Sequence, residues 1–156
     1  MAVTSITPFL WFDTKAEEAA RFYVSIFPNS KITRIGRRTG AEIANQSDVL
    51  TVDFELDGKR HLALNGGPQY KFTEALSLLV SCKTQEEIDR YWSALTADGG
   101  QEVMCGWLKD KYGLFWQVVP ERALELLAGD DRARANRVMA AVRTMKKLDL
   151  AELEQA

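Results

Sequence analysis

The apolar positions at the start of the chain are spaced first as in a strand, then as in a helix, and then again as in strands. Residues 6–12 form an apolar run that predicts a strand, and the Thr-x-x-Glu pattern from Thr14 to Glu17 is typical of a capping box that opens a helix. Apolar side chains at helical spacing continue to Phe27, and Pro28 then ends the helix. Three strand-like stretches follow, at 31–38, 49–56 and 59–65. This order predicts a β-α-β-β-β unit.

The same order of elements returns in the second half of the chain. Residues 76–82 predict a strand, Thr84 to Glu87 repeats the capping-box pattern, and an amphipathic helix then runs to Gly99. Two more strands are predicted, at 101–107 and 113–119. Two capped helices in equivalent places indicate that the β-α-β-β-β module is duplicated.

The predicted fold class is therefore α+β, with two β-α-β-β-β modules followed by C-terminal helices. We expect residues 1–120 to form one domain of paired modules, with module one at 1–68 and module two at 69–120. The tail, residues 121–156, is predicted to be helical and to pack on this domain or on a dimer partner. The tail is rich in basic side chains but lacks aromatic ones, so it does not favour nucleic-acid binding.

The composition narrows the class of protein further. A length of 156 residues with 46% hydrophobic side chains suits one domain with a substantial core. The 20 basic residues are balanced by 22 acidic ones, which excludes a generally basic nucleic-acid binder. No apolar run suits a membrane span, the first residues lack an export signal, and Cys82 and Cys105 predict no disulfide framework, so we expect a cytoplasmic protein. A single histidine, His61, leaves too few ligands for most zinc sites.

Several motifs, in order along nearly the whole chain, resemble those of one protein family. The residues that carry the likeness are 6–12, 18–23, 26–30, 64–68, 105–113 and 116–120. They are similar to the PhnB-like branch of the vicinal oxygen chelate superfamily, which is often labelled 3-demethylubiquinone-9 3-methyltransferase. The resemblance implies a glyoxalase-like fold, in which each module curls a mixed sheet into half a barrel.

The resemblance also implies where metal-dependent members of the superfamily hold their ligands. Those places, on the first and last strand of each module, correspond here to Thr7, Ala63, Ala75 and Gln117. Only Gln117 offers a useful ligand atom, because alanine has none and a threonine hydroxyl is a poor neutral donor. We therefore expect no metal site and no other cofactor.

The aromatic side chains indicate a different kind of site. Alternation along the strands places Phe9 and Trp11 on the face of Thr7, and Phe115 on the face of Gln117. Such a face either lines an apolar cavity or is filled core, and the sequence leaves both interpretations open. For a cavity, the expected ligand contacts are Trp11, Asn65, Trp107 and Gln117.

Two residues are candidate catalytic groups. His61 shares the strand face of Ala63 and Asn65 and titrates near neutral pH, so it is either a general base in the cavity or a half-exposed strand histidine. Cys105 is either a thiol activated by a neighbouring lysine such as Lys111, or an inert one. The glycine turn after Asn65 either presents backbone amides to an anionic ligand or only joins the modules.

Two functions from different classes follow from these patterns. The first is a metal-free protein that binds a small, partly aromatic molecule, and the second is an enzyme that uses His61 or Cys105 in place of the metal triad. Methyl transfer is disfavoured, because the chain has no Gly-x-Gly-x-x-Gly motif after a strand. A homodimer is expected, since an exposed sheet edge favours pairing, and neither nucleic acid nor membrane is an expected partner.

Overall fold

The computed structural model of the chain describes residues 5–39 and 47–156. The chain divides into two compact units, Met1–Lys71 and Phe72–Ala156, which we call unit 1 and unit 2. Residues 1–4, part of the stretch in which the sequence shows no export signal, lie outside the described residues.

Unit 1 contains a four-stranded mixed sheet and one helix. Its elements are β1 (Phe9–Phe12), α1 (Ala16–Ile26), β2 (Lys31–Arg37), β3 (Val49–Leu56) and β4 (Lys59–Asn65). The strand order is β1-β4-β3-β2, in which β1 runs parallel to β4 and the other pairs are antiparallel. The first strand begins at Phe9 and not at Ile6 as predicted, because Pro8 has no N–H group with which to continue the ladder.

Helix α1 packs on one face of this sheet and forms the core of unit 1. The Tyr23 ring of α1 lies 6.4 Å from the Phe54 ring of β3, measured between centroids, and both side chains are fully buried. Alternation along the strands assigns the rest of this helix-covered face, which comprises Leu10, Phe12, Val52, Phe54, His61, Ala63 and Asn65. The opposite face of the sheet does not pack against α1.

The start of α1 differs from the predicted capping box. The helix begins at Ala16, and no side chain of the residues just before it accepts a hydrogen bond from the first turn. Instead, Asn65 at the end of β4 reaches the helix: its Oδ1 accepts from the Ala16 N–H at 2.8 Å, and its Nδ2 donates to the Val49 carbonyl at 3.0 Å. The Thr14 prediction was wrong because a distant amide already satisfies this end of the helix.

Unit 2 repeats the plan of unit 1 and adds helices. Its sheet elements are β5 (Leu78–Cys82), α2 (Gln85–Thr96), a 3-10 turn (Ala97–Gly99), β6 (Gln101–Glu102), β7 (Trp107–Lys109) and β8 (Phe115–Pro120). The strand order is β5-β8-β7-β6, with β5 parallel to β8, and neither sheet closes into a barrel. The predicted fold class is confirmed: an α+β, glyoxalase-like fold with two mixed four-stranded sheets and C-terminal helices.

The strand predicted at 101–107 is in fact two strands joined by a turn. Cys105 and Gly106 both have positive φ angles, 62° and 80°, which a continuous strand does not allow. The chain therefore reverses between β6 and β7, and the Trp107 N–H donates to the Met104 carbonyl at 3.1 Å. The Thr84 cap is confirmed, since the Thr84 hydroxyl accepts from the Glu87 N–H at 3.3 Å. The second bond of the box is displaced by one residue, because the Glu87 carboxylate accepts from the Lys83 N–H at 2.6 Å and not from the Thr84 N–H.

The tail forms three helices that pack on unit 2. They are α3 (Glu121–Ala128), α4 (Arg132–Val142) and α5 (Leu150–Gln155). Their buried side chains form one cluster with the end of β8: Val119, Ala123, Leu126, Val138, Val142, Met145, Leu148 and Leu153. Gln85 of α2 fastens the tail, because its amide accepts from the Leu150 N–H at 2.8 Å and donates to the Leu148 carbonyl at 3.2 Å.

Candidate functional site

The face of the unit 1 sheet that α1 does not cover changes from charged to apolar across the strands. We call it the open face of unit 1. In-register pairing places its side chains in rows, and the face comprises Phe9, Trp11, Arg34, Thr51, Asp53, Arg60, Leu62 and Leu64. The Phe9 side chain at one end of a row is 56% exposed, which is unusual for a large apolar residue.

Trp11 lies on the open face of unit 1 and closes over the glycine turn after β4. Its indole Nε1 donates to the Gly67 carbonyl at 2.9 Å, and its ring meets the Tyr70 ring edge-on with centroids 5.0 Å apart. The ring passes so close to Gly66 that a Cβ added there would lie 2.3 Å from Trp11 Cζ2. A glycine is therefore required at position 66 by a direct approach of the indole.

The turn itself does not present free amides. The Gly66 N–H donates to the Phe12 carbonyl at 2.9 Å, and the Gly67 N–H donates to the Asp13 carbonyl at 3.2 Å. Both groups are thus used to hold the end of β4 against the end of β1. Of the two interpretations of this turn, the structure favours the joining role over an anion-binding nest.

Asp53 is a buried carboxylate on the open face that the sequence reasoning missed. Its side chain is 5% exposed and receives hydrogen bonds from Arg34 Nε at 2.9 Å and Arg60 Nη2 at 2.8 Å. Burial alone would raise the pKa of Asp53, but the hydrogen bonds and charges of Arg60 and Arg34 outweigh it and hold that pKa below its ordinary value. The signal in the sequence was an acid between two apolar residues, Val52 and Phe54.

His61 lies on the helix-covered face, away from Trp11. The imidazole stacks on the Phe54 ring with centroids 5.4 Å apart, and Nδ1 lies 2.8 Å from the Lys59 carbonyl. Burial lowers the pKa of His61, and the contact with the Lys59 carbonyl opposes this. At 8% exposure the ring is less accessible than either interpretation of the sequence assumed.

Asn65 shares the helix-covered face with His61 and is 2% exposed. Its amide oxygen and nitrogen are occupied by Ala16 and Val49, as described for the start of α1. The side chain therefore has a clear structural role, and its contact with a ligand remains a prediction.

The open face of unit 2 brings together two of the predicted ligand contacts. Trp107 of β7, Gln117 of β8 and Leu79 of β5 are in register across three adjacent strands, so their side chains form one row. Leu79 is 50% exposed, and Gln117 Nε2 donates to the Ser77 hydroxyl at 2.8 Å. We call Leu79, Trp107 and Gln117 the open face of unit 2. It combines an indole, an aliphatic side chain and a primary amide.

The two cysteines both lie away from the open faces. Cys105 packs against the cluster of the tail helices, and its N–H donates to the Met145 carbonyl at 2.7 Å. Cys82 is 1% exposed, and burial, together with the charges of Glu87 and Glu121, raises the pKa of its thiol to about 12. The Cys82 thiol is therefore protonated and unreactive at neutral pH.

The places that the family resemblance implied for metal ligands do not supply a ligand set. Ala63 lies on the helix-covered face, and its neighbours on the open face, Leu62 and Leu64, have no ligand atoms. Ala75 is equally without a ligand atom. Within residues 5–39 and 47–156, no three His, Cys, Asp or Glu side chains are grouped so that they could hold a metal ion. The residues present do not fit the metal of the metal-dependent relatives.

Comparison with known proteins agrees with this architecture. A PhnB protein of Bacillus cereus, described as a 3-demethylubiquinone-9 3-methyltransferase, is 36% identical, covers 75% of this chain and 99% of its own, and superposes with a TM-score of 0.68. Protein PA1353 of Pseudomonas aeruginosa is 17% identical, with coverages of 76% and 98% and a TM-score of 0.62. The fosfomycin resistance protein FosX of Listeria monocytogenes is 14% identical, with coverages of 77% and 94% and a TM-score of 0.51.

The two modules, each with a parallel β1–β4 or β5–β8 pair beside antiparallel strands, define a glyoxalase-like protein of the vicinal oxygen chelate superfamily. Within that superfamily, residues 4–119 match the family described as 3-demethylubiquinone-9 3-methyltransferase. The chain belongs to this PhnB-like family, and the resemblance seen in the sequence is confirmed.

No curated protein matches the chain. In the part of the chain that the structure describes, no helix has the length and apolar character needed to cross a membrane.

Proposed function

We propose that this protein binds a small, partly aromatic molecule on its open sheet faces and does so without a metal ion. The observation that carries the proposal is the row of Leu79, Trp107 and Gln117 on unit 2. An indole and a half-exposed leucine offer apolar contact, and the amide between them offers a directed hydrogen bond. Gln117 Oε1 accepts no hydrogen bond from any residue in the described part of the chain, so it is available to a ligand.

The side chains at the places implied for metal ligands support binding without a metal. Of the places that the family resemblance implies for metal ligands, Ala63 and Ala75 have no ligand atom, and the Thr7 hydroxyl is a poor neutral donor. Trp11 adds a second aromatic surface, on the open face of unit 1, held in place by its bond to Gly67. The side chains of the two open faces suit contact with an organic molecule better than they suit coordination.

Methyl transfer, which the family name describes, has no support in this chain. A nucleotide-type methyl donor needs a glycine-rich turn at the start of a helix, and the chain has no Gly-x-Gly-x-x-Gly motif. The sheets are mixed, and in the part of the chain that the structure describes each contains one parallel strand pair, β1–β4 or β5–β8. Catalysis by His61 or Cys105 is also weakly supported, because His61 is buried against Phe54 and Cys105 packs against the tail.

Calorimetric titration with 1-naphthamide, a neutral aromatic amide, tests the proposal. We expect saturable binding by the wild-type protein and about tenfold weaker binding by the Trp107→Ala variant, since aromatic contacts of this kind contribute about 1 kcal/mol beyond their area. Gln117→Leu should also weaken binding. Tyr91→Ala, which removes a half-buried ring from α2, is the matched control and should bind as the wild type does.

Native mass spectrometry of the protein from the cells that make it should in addition show a retained small molecule that is lost on denaturation. The proposal fails if 1-naphthamide does not bind and no retained mass is found. It also fails if Trp107→Ala and Tyr91→Ala have the same effect.

We also propose that the protein is a homodimer in the cytoplasm. Strands β2 and β6 are the last strands of their sheets, and each leaves backbone groups on one side for pairing. Light scattering on the purified protein should give twice the mass of one chain. A monomer across micromolar concentrations would contradict the dimer.

A further inference from the structure

One row of the open face of unit 1 runs from a cation to an exposed apolar ring. Arg34, Asp53, Leu62 and Phe9 are in register on four adjacent strands, so their side chains project from the same side of the sheet. Neighbouring strands lie about 4.8 Å apart, which makes the row about 14 Å long. Arg60 precedes Leu62 by two residues and lies on the same face.

The charges in this row do not balance. Asp53 is one carboxylate, and it receives one hydrogen bond from each of two guanidinium groups, at 2.9 Å from Arg34 and 2.8 Å from Arg60. The neighbouring pair of Lys31 and Glu55, 3.5 Å apart, is neutral as a pair. One positive charge is therefore left over beside the apolar part of the row.

The two guanidinium groups keep donors for another partner. A guanidinium has five N–H donors, and each of these gives one of them to Asp53. The Arg34 side chain is 74% exposed and the Arg60 side chain is 52% exposed, so the remaining donors are accessible. A single arginine would neutralise Asp53; the second one adds a repulsion that a bound anion would relieve.

We propose that the open face of unit 1 by itself binds a small organic anion: Arg34 and Arg60 bind its anionic group, and its apolar body lies along Leu62 and Phe9. This inference rests on the proposed function and narrows its ligand to an acid. The planar guanidinium fork matches a carboxylate or a phosphate group, which can accept two parallel hydrogen bonds. Asp53 acts as a positioning residue that holds the two cations beside each other.

Three probes that share a naphthalene ring separate charge from shape. Calorimetric titration should give tighter binding for 1-naphthoate or 1-naphthyl phosphate than for neutral 1-naphthamide, and the preference should shrink as salt is added. The acid that binds more tightly identifies the anionic group as a carboxylate or a phosphate. Equal affinity for the acids and the amide would overturn the proposal.

Variants then test the residues. Arg34→Gln should weaken binding of the preferred acid about fivefold, as expected for loss of one solvent-exposed charge pair, and should weaken binding of 1-naphthamide less. Arg60→Gln should do the same. Arg21→Gln, which removes an arginine paired with Glu17 on α1, is the matched control and should leave the preference intact.

The outcomes distinguish this inference from the function on which it rests. If the amide binds but neither arginine variant changes the affinity for the acid, the anion site is wrong and the binding function stands. If none of the three probes binds, the binding function fails and the anion site fails with it.

Discussion

Asp53 illustrates how a charged side chain can be kept within an apolar strand. The carboxylate is 5% exposed, and its ionised form is held by Arg34 and Arg60, whose own side chains reach solvent. Burial of the acid without these partners would cost several kcal/mol. The residue therefore stabilises the sheet only while it is ionised.

This dependence predicts how stability varies with pH. The pKa of Asp53 is lower in the folded protein than in the unfolded chain, where an aspartate titrates near about 3.9. The folded state thus binds fewer protons, so the stabilisation is present above the unfolded pKa and is lost as the pH falls through the lower, folded pKa. Asp53→Asn should cost about 1 to 3 kcal/mol at pH 7, and less at pH 3.

Urea unfolding of the wild type and of Asp53→Asn at pH 7 and pH 3 measures the loss of stability at each pH. Asp48→Asn is the control, because Asp48 pairs with Arg37 at the surface and its side chain is 51% exposed. Its loss should cost less than about 1 kcal/mol at either pH. An equal cost for the two variants, or a cost for Asp53→Asn that does not change with pH, would contradict this account of Asp53.

The buried thiol gives a second prediction at this scale. With its pKa raised to about 12 and its side chain 1% exposed, Cys82 should not react with a thiol-specific disulfide reagent at pH 8. We expect one reactive thiol in the native protein, Cys105, and two after denaturation. If Cys82→Ser rather than Cys105→Ser removes the native reactivity, the assignment is wrong.

At the scale of the elements, the two module helices are started in different ways. Thr84 directly precedes α2 and caps it. The first N–H of α1, that of Ala16, instead donates to Asn65, which is 49 residues away in the sequence. The Asn65 amide also holds the Val49 carbonyl, so it connects α1, β3 and β4. Thr14, in the position equivalent to Thr84, is exposed and is not the cap.

Three alanine variants should rank accordingly in urea unfolding. Asn65→Ala leaves two buried backbone groups without partners and should cost about 2 to 4 kcal/mol. Thr84→Ala removes a local cap and should cost about 1 kcal/mol. Thr14→Ala should cost less than about 0.5 kcal/mol. A loss from Thr14→Ala as large as that from Thr84→Ala would contradict the cap from Asn65.

The same comparison shows what the sequence could and could not predict. Local patterns predicted most elements well: the strands expected at 49–56 and 59–65, for example, are β3 and β4 with the same bounds. The two capping boxes are alike in sequence, and only the tertiary position of Asn65 distinguishes them. The break at Cys105 was missed because a non-glycine residue rarely has a positive φ.

The candidate site was predicted only in part, because local patterns do not contain tertiary position. Alternation correctly places Trp11 beside Phe9 on one face, and His61 with Ala63 on one face. It cannot say which of the two faces a helix will cover, and α1 covers that of His61. The pairing of Asp53 with its two arginines depends on the register of three strands, which no local pattern contains.

At the scale of the whole molecule, the tail is an addition to the family domain. The family match ends at residue 119, and the Bacillus cereus relative, 99% of which is covered, corresponds to 75% of this chain. The tail nevertheless completes unit 2: its apolar side chains cluster with Val119, and the carbonyls of Met145 and Lys146, between α4 and α5, accept from the N–H groups of Cys105 and Gly106. We infer that unit 2 depends on the tail for stability.

A leucine of the tail tests that dependence. Leu148 is 1% exposed and packs closely against Gly106: a Cβ added to Gly106 would lie 3.1 Å from the Leu148 side chain. Leu148→Ala should therefore cost about 2 to 4 kcal/mol in unfolding experiments. Leu124→Ala, which truncates a leucine that is 39% exposed on α3, should cost less than about 1 kcal/mol. Equal losses would show that the tail is not part of the core.

The central claim is that this glyoxalase-like protein binds its ligand without the metal of its metal-dependent relatives. Removal of metal tests it most directly: 1-naphthamide is titrated into the protein before and after dialysis against EDTA, and the metal content of each sample is determined by elemental analysis. We expect the same dissociation constant in both samples and far less than one divalent ion per chain. A stoichiometric divalent ion, with binding that is lost on chelation and restored by adding the ion back, would contradict the claim.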